Sequence, residues 1–156
     1  MLRFTILAHH VAPGFDREPD GIHNRSIQWE WLFEPVINAD ALWTWATAPM
    51  ESDSASIKAV RLAHHRPIYL TYEGPLTRDR GSVSQLASGT YQWVTQRDQH
   101  YRLKLTYDRF VSSVPFGSEI EMRLDYSSLG PSDPGSTWTF RIGNGPSGSS
   151  KADAIS

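Results

Sequence analysis

Six side chains in this sequence have the types and positions from which metal or phosphate chemistry is built: His9, Gln28, Glu30, His65, Tyr69 and Arg80. His9 ends the run Phe4-Thr5-Ile6-Leu7-Ala8, where it projects into a barrel mouth or serves as an ordinary structural histidine. His10 beside it is an equal candidate. Gln28 and Glu30 stand two positions apart on a strand, so both face one side. One imidazole and two oxygen donors suit Mn²⁺ or a similar borderline-hard cation better than structural zinc. Gln28 is the weak member, a neutral amide whose bland role is a hydrogen-bonded wall residue. His65, Tyr69 and an arginine form a second set, able to bind a phosphate with His as proton donor and Arg as charge clamp. The structural alternative is a histidine capping a helix and a tyrosine in the core. Arg80 lies in the turn Thr77-Arg78-Asp79-Arg80-Gly81-Ser82, whose two guanidinium groups either grip phosphate or are simply solvated.

These groups need a wall to hold them, and period-two alternation supplies it. Strands are expected over 3–8, 28–34 and 41–46. Trp29, Trp31 and Phe33 make one apolar face that fixes the register, and Gln28, Glu30 and Glu34 share the other with Leu32. Ile57 to Ala63 reads as the one helical patch, with Ile57 and Val60 on one side. Further strands are expected over 68–73, 82–86 and 89–96. Tyr101 to Tyr107, Ile120 with Met122 and Leu124, and Thr137 to Ile142 complete the set. His100, Arg102 and Lys104 fall on the polar side of their strand and read as surface. Many short strands with regular turn signals point to an all-β fold. The expectation is a closed antiparallel β-barrel of about eight strands with one or two short flanking helices. Closure removes the edges that invite aggregation. The barrel should span 1–142, followed by a Gly/Ser-rich disordered tail over 143–156.

Composition narrows the class of function. A chain of 156 residues makes one domain that buries roughly 70% of its unfolded surface. Net charge is −2, so no overall basic field announces nucleic acid. Of the 15 cationic residues only Lys58, Lys104 and Lys151 are lysine. That skew suits planar recognition of phosphate, and equally reflects a GC-rich codon supply. With no cysteine, disulfides, thiolate metal sites and cysteine nucleophiles are excluded. The apolar start, 2–8, is too short for a signal peptide or a membrane span and is broken by Arg3. A cytoplasmic monomer is the expectation.

Taken in order, several stretches resemble the 3′-phosphoesterase domain of bacterial DNA ligase D, in its small stand-alone form. They are Phe4 to His9, Gln28 to Glu34, Leu42-Trp43-Thr44-Trp45-Ala46, His65 to Gly74, Arg80-Gly81-Ser82-Val83 and Ser88-Gly89-Thr90-Tyr91. The likeness runs from about Arg3 to Ile142. It implies a compact β-barrel and an Mn²⁺-dependent enzyme that trims 3′ ends of nucleic acid, removing a terminal ribonucleoside and then the 3′-phosphate. His9 then matches the first metal ligand, and His65 and Tyr69 match a His and a Tyr of the phosphate site. Two metal-ligand positions depart from the pattern: Gln28 stands where the family has His, and Glu30 where it has Asp. Leu32 occupies the place of a phosphate-binding Arg in ligase-linked members. His10 or His23 is available as a substitute ligand. The alternative implied by these departures is a barrel without catalysis that binds nucleic-acid ends or a protein partner.

Overall fold

The computed structural model describes residues 1–11, 27–50, 56–111 and 117–143. Within them the chain forms nine strands: β1 (Leu2–His10), β2 (Ile27–Phe33), β3 (Leu42–Thr47), β4 (Ser56–His65), β5 (Gly74–Pro75), β6 (Ser82–Arg97), β7 (His100–Phe110), β8 (Glu119–Leu124) and β9 (Thr137–Gly143). Eight of them close a barrel in the order β1-β2-β3-β4-β9-β8-β7-β6, and β6 returns to pair with β1. Every pairing is antiparallel. The two-residue β5 is an outlying addition to β6. Among the described residues the only helices are two single 3₁₀ turns, Pro67–Leu70 and Thr77–Asp79. Among the described residues no helix is long and apolar enough to cross a membrane.

Alternation sorts the strand residues into two layers. The interior takes Phe4, Ile6 and Ala8 of β1, Trp29, Trp31 and Phe33 of β2, and matching residues from every other barrel strand. Aromatic rings fill it: Trp45 meets Trp138 edge-on with centroids 5.4 Å apart, and Trp138 stacks on Tyr101 at 5.4 Å. The second layer lies outside the wall. Leu7, Leu32, Leu42 and Val83 face away from the barrel axis and bury against Leu70, with Tyr69, Tyr72 and Leu76 around it. Thus both faces of β2 are covered, and the polar side is buried as well: Gln28, Glu30, Leu32 and Glu34 are all 3% exposed or less.

The covering layer is the connection from β4 to β6, a strap of residues 66–81. Thr5 Oγ1 and Gln85 Nε2 both donate to the carbonyl of Leu70, at 2.7 and 3.1 Å. The backbone N–H of Gln85 donates to Glu73 at 2.7 Å. Three anchors from two strands hold the strap against the wall.

Three local expectations are corrected. The helix expected over Ile57 to Ala63 is part of strand β4, whose backbone groups are taken on both sides by β3 and β9. Its Ala and Leu content favours a helix, but those ladders exist only once the barrel forms, and they override local propensity. The strand expected over 68–73 is a 3₁₀ turn followed by a bend. Pro67 lacks an N–H and fixes its own φ, and the N–H groups of Tyr69, Thr71 and Tyr72 bond back to Arg66 and Ile68. The segments expected over 82–86 and 89–96 are one continuous strand, β6, carried through register shifts against β1 and β7. Of the expected tail, Gly143 closes β9 and the rest lies outside the described residues, as does His23.

Candidate functional site

His9 pairs directly with Gln28 across the β1–β2 ladder, and Glu30 lies one step diagonally. All three have the parity of Thr5, Leu7 and Leu32, so they stand on the outer face of the wall under the strap. The barrel mouth expected for His9 is not where it sits. Phe4, Ile6 and Ala8 fill the interior, and a one-residue offset sends His9 to the other side. His10 has the interior parity, is exposed, and takes no part in this cluster.

His65 reaches the same face through a bulge. Thr44 pairs with Leu62 but Leu42 pairs with His65, so β4 spends three residues where β3 spends two. The extra residue reverses the alternation. Without it His64 would oppose Leu42 and face Glu30. With it, His65 does. No helix precedes His65, so the helix-capping role does not apply.

Glu30 is the hub. Its Oε2 accepts from Gln28 Nε2 at 2.9 Å and contacts His9 Nδ1 at 2.9 Å, while Oε1 contacts His65 Nε2 at 3.2 Å. Each imidazole is pinned at its other nitrogen by a backbone carbonyl: His9 Nε2 to Arg80 at 2.8 Å, His65 Nδ1 to Ala63 at 3.1 Å. A carbonyl only accepts, so each of those nitrogens carries the proton. The nitrogen left on each ring then points at an ionised carboxylate, acceptor against acceptor, unless positive charge lies between them. Either a second ring proton or a metal cation supplies it. Burial pushes the Glu30 carboxyl up, but hydrogen bonds and charge from His65 and His9 outweigh it and hold Glu30 well below the usual carboxylate range.

The residues present fit a divalent cation through their donor chemistry. His9 Nδ1 and the Gln28 amide both lie 2.9 Å from Glu30 Oε2, and right-angled ligands about 2.1 Å from a metal stand about 3 Å apart. A carbonyl on the far nitrogen is also how metal-binding histidines are oriented. Among the described residues no three His, Cys, Asp or Glu side chains form a metal-holding group, so a third donor beside His9 and Glu30 would have to be the Gln28 amide. As placed, its Oε1 is buried and has no hydrogen-bond partner among the described residues. Turned over, that oxygen meets Glu30 Oε2, an arrangement only a shared cation makes tolerable.

The cluster forms the floor of an open pocket of about 380 Å³ lined by His9, Glu30, His65, Tyr69 and Arg80, together with His64 and Arg66. Tyr69 stands edge-on to His65 with centroids 5.8 Å apart, and the Arg66 guanidinium lies 5.8 Å from the Tyr69 ring centre. Arg80 is held by its own turn, Nε and Nη2 donating to Thr77 O and Oγ1 at 3.0 Å each. Among the described residues no carboxylate pairs with Arg66 or Arg80. The wall therefore presents two guanidinium groups and the two imidazoles on Glu30 against one carboxylate, a surface made for an anion. Five of the six residues singled out from the sequence line this pocket. Gln28 lies beneath it, buried, on Glu30.

Sequence reasoning passed over Arg66 and His64 as site residues. The signal for Arg66 was its place between His65 and Pro67. His64 had none, because nothing in the sequence marks the bulge. Arg78 does not line the pocket and sits at φ 60° in the turn. Leu32 is fully buried against the strap. No family model matches the chain, and no curated protein does either.

Proposed function

We propose that the protein is a phosphoesterase of the DNA ligase D 3′-phosphoesterase type, taking the 3′-terminal phosphate or ribonucleoside of a nucleic acid into this pocket in a cytoplasmic, monomeric form. The observation that carries the reading is the arrangement around Glu30. Two imidazoles, a tyrosine and two guanidinium groups with no carboxylate partner among the described residues line one pocket above a carboxylate that is itself neutralised. Arg80 and Arg66 attract and neutralise the phosphoryl oxygens. His65, its Nδ1 fixed on the Ala63 carbonyl, holds a transferable proton at Nε2 next to the leaving oxygen. Tyr69 orients the ester, and the strap keeps bulk water off the buried side of the pocket. His9, Glu30 and Gln28 would hold the cation. When bound, Mn²⁺ polarises a phosphoryl oxygen and stabilises the charge that develops there.

The test is a primer ending in a 3′-phosphate, incubated with Mn²⁺ and with a related active domain as control. A 3′-hydroxyl product that is lost in His65→Ala supports the reading. Absence of product at high enzyme removes the catalytic part of it. One observation favours a second reading: Gln28 in the donor set, with an unpartnered oxygen, weakens metal affinity and leaves a barrel that binds nucleic-acid ends without cleaving them. Saturable, salt-sensitive binding of a 3′-phosphorylated oligonucleotide without turnover would select that reading.

A further inference from the structure

Beside the phosphate pocket, and sharing Arg66, Tyr69 and Leu76 with it, the strap forms a second cleft of about 190 Å³. Its chemistry is different. The walls are the rings of Tyr69 and Tyr72, set nearly perpendicular with centroids 5.8 Å apart, the side chains of Pro75 and Leu76, and Ile68 at the rim. Arg66 alone brings charge. The cleft is smaller than the roughly 300–1,000 Å³ of drug-sized sites, a scale that suits one planar ring system.

The walls are fixed in place. The Tyr72 hydroxyl donates to the Pro75 carbonyl, and Leu76 N–H bonds to the Gly81 carbonyl at 2.7 Å. Gly74 between them has φ 135°, a conformation open to glycine and strained for other residues. Ile68 is the feature that lacks a purpose in the fold. It is 57% exposed although it belongs to the same turn as buried Leu70. An exposed aliphatic side chain beside two tyrosines and an arginine offers a flat ligand an apolar surface, a ring edge and a cation for its face.

Resting on the phosphoesterase reading, we infer that this cleft is a base subsite. It holds the terminal nucleobase of the strand whose 3′-phosphate occupies the adjoining pocket, with Ile68 and Tyr72 as the residues that distinguish a nucleotide from a bare phosphate. The charge pattern supports this occupant. An anion at His65, Arg66 and Arg80 continues directly into an apolar ring at Tyr69, which is the polarity of a nucleoside phosphate.

Binding separates the subsite from the reading beneath it. Calorimetric titrations of the full chain would compare inorganic phosphate with two short oligonucleotides bearing a 3′-phosphate, one with an ordinary terminal nucleoside and one with an abasic tetrahydrofuran in its place. The base should strengthen binding about tenfold, within the range of a single base stack on aromatic groups. Ile68→Asp, at an exposed position, should reduce that ratio below about twofold while inorganic phosphate binds as before, and Tyr72→Ala should do the same. Equal affinity for the two oligonucleotides, or a ratio unchanged in Ile68→Asp, overturns the base subsite and leaves the phosphate site standing. If neither oligonucleotide nor inorganic phosphate binds, the phosphoesterase reading falls and takes the subsite with it.

Discussion

At the scale of the residue, Glu30 shows how a buried carboxylate is made tolerable. Its oxygens meet His9, Gln28 and His65, and each histidine is aimed by a backbone carbonyl. A carboxyl held below its ordinary value of 4.5 contributes stability that is fully present above that pH. The contribution is lost as pH falls toward the folded-state value, because the unfolded chain takes up the proton first. Stability should therefore drop below about pH 4.5, and Glu30→Gln should flatten that acid limb in pH-dependent denaturant melts. It should not abolish the limb, since Glu34, Glu121 and Asp125 are held low in the same direction. Gln28→His supplies the nitrogen donor this set lacks. It should tighten Mn²⁺ binding by about tenfold or more in calorimetry, and unchanged affinity would mean that the cluster holds protons rather than metal.

Two irregularities in the strands decide what those residues meet. The bulge in β4 turns His65 rather than His64 toward Glu30. Removing a hydrogen-bond donor from a buried carboxylate costs about 1.5–3 kcal/mol, whereas an exposed position of this kind stays within about 0.5 kcal/mol. Chemical denaturation should accordingly show a clear loss for His65→Ala and almost none for His64→Ala. The second irregularity lies where β6 passes β7. A Cβ on Gly89 would stand 2.0 Å from the carbonyl oxygen of Thr106, an approach that only glycine allows. Gly89→Ala forces the ladder apart and should cost at least about 1–3 kcal/mol. The melting temperature should fall by several degrees.

For the whole molecule, the closed wall is the source of rigidity. Eight strands leave no free edge among themselves, and the enclosed space is packed with rings rather than left as a cavity. Trp138, fully buried, touches Trp45 edge-on and Tyr101 face-on. Trp138→Ala should destabilise the barrel by about 3–5 kcal/mol, read as a lower denaturation midpoint. Because the core fills the barrel axis, the pocket over Glu30 lies outside the wall. The strap over β1, β2 and β6 borders it and packs on the wall through a second, smaller apolar layer that includes Leu70.

How much of this was legible follows from the range over which each signal acts. Trp29, Trp31 and Phe33 announced their strand and its buried face because alternation is a property of neighbouring residues, and the sum of such runs gave an antiparallel all-β barrel. Pairwise placement of Glu30 beside Gln28 was equally local. Three matters were not local. The face on which His9 sits was misjudged, since parity tells which residues travel together but not which side the axis lies on. The 57–63 segment looked helical because its ladders come from outside the segment, from β3 before it and from β9 far along the chain. His65 was found by type, yet its turn toward Glu30 depends on one inserted residue whose only trace is the register against Leu42 and Thr44. Side-chain chemistry and strand periodicity are therefore written in the sequence itself. The meeting of His9, Glu30 and His65 under a strap that also carries Tyr69 and Arg80 exists only because barrel closure, a bulge and three hydrogen-bond anchors place distant segments on one outer face.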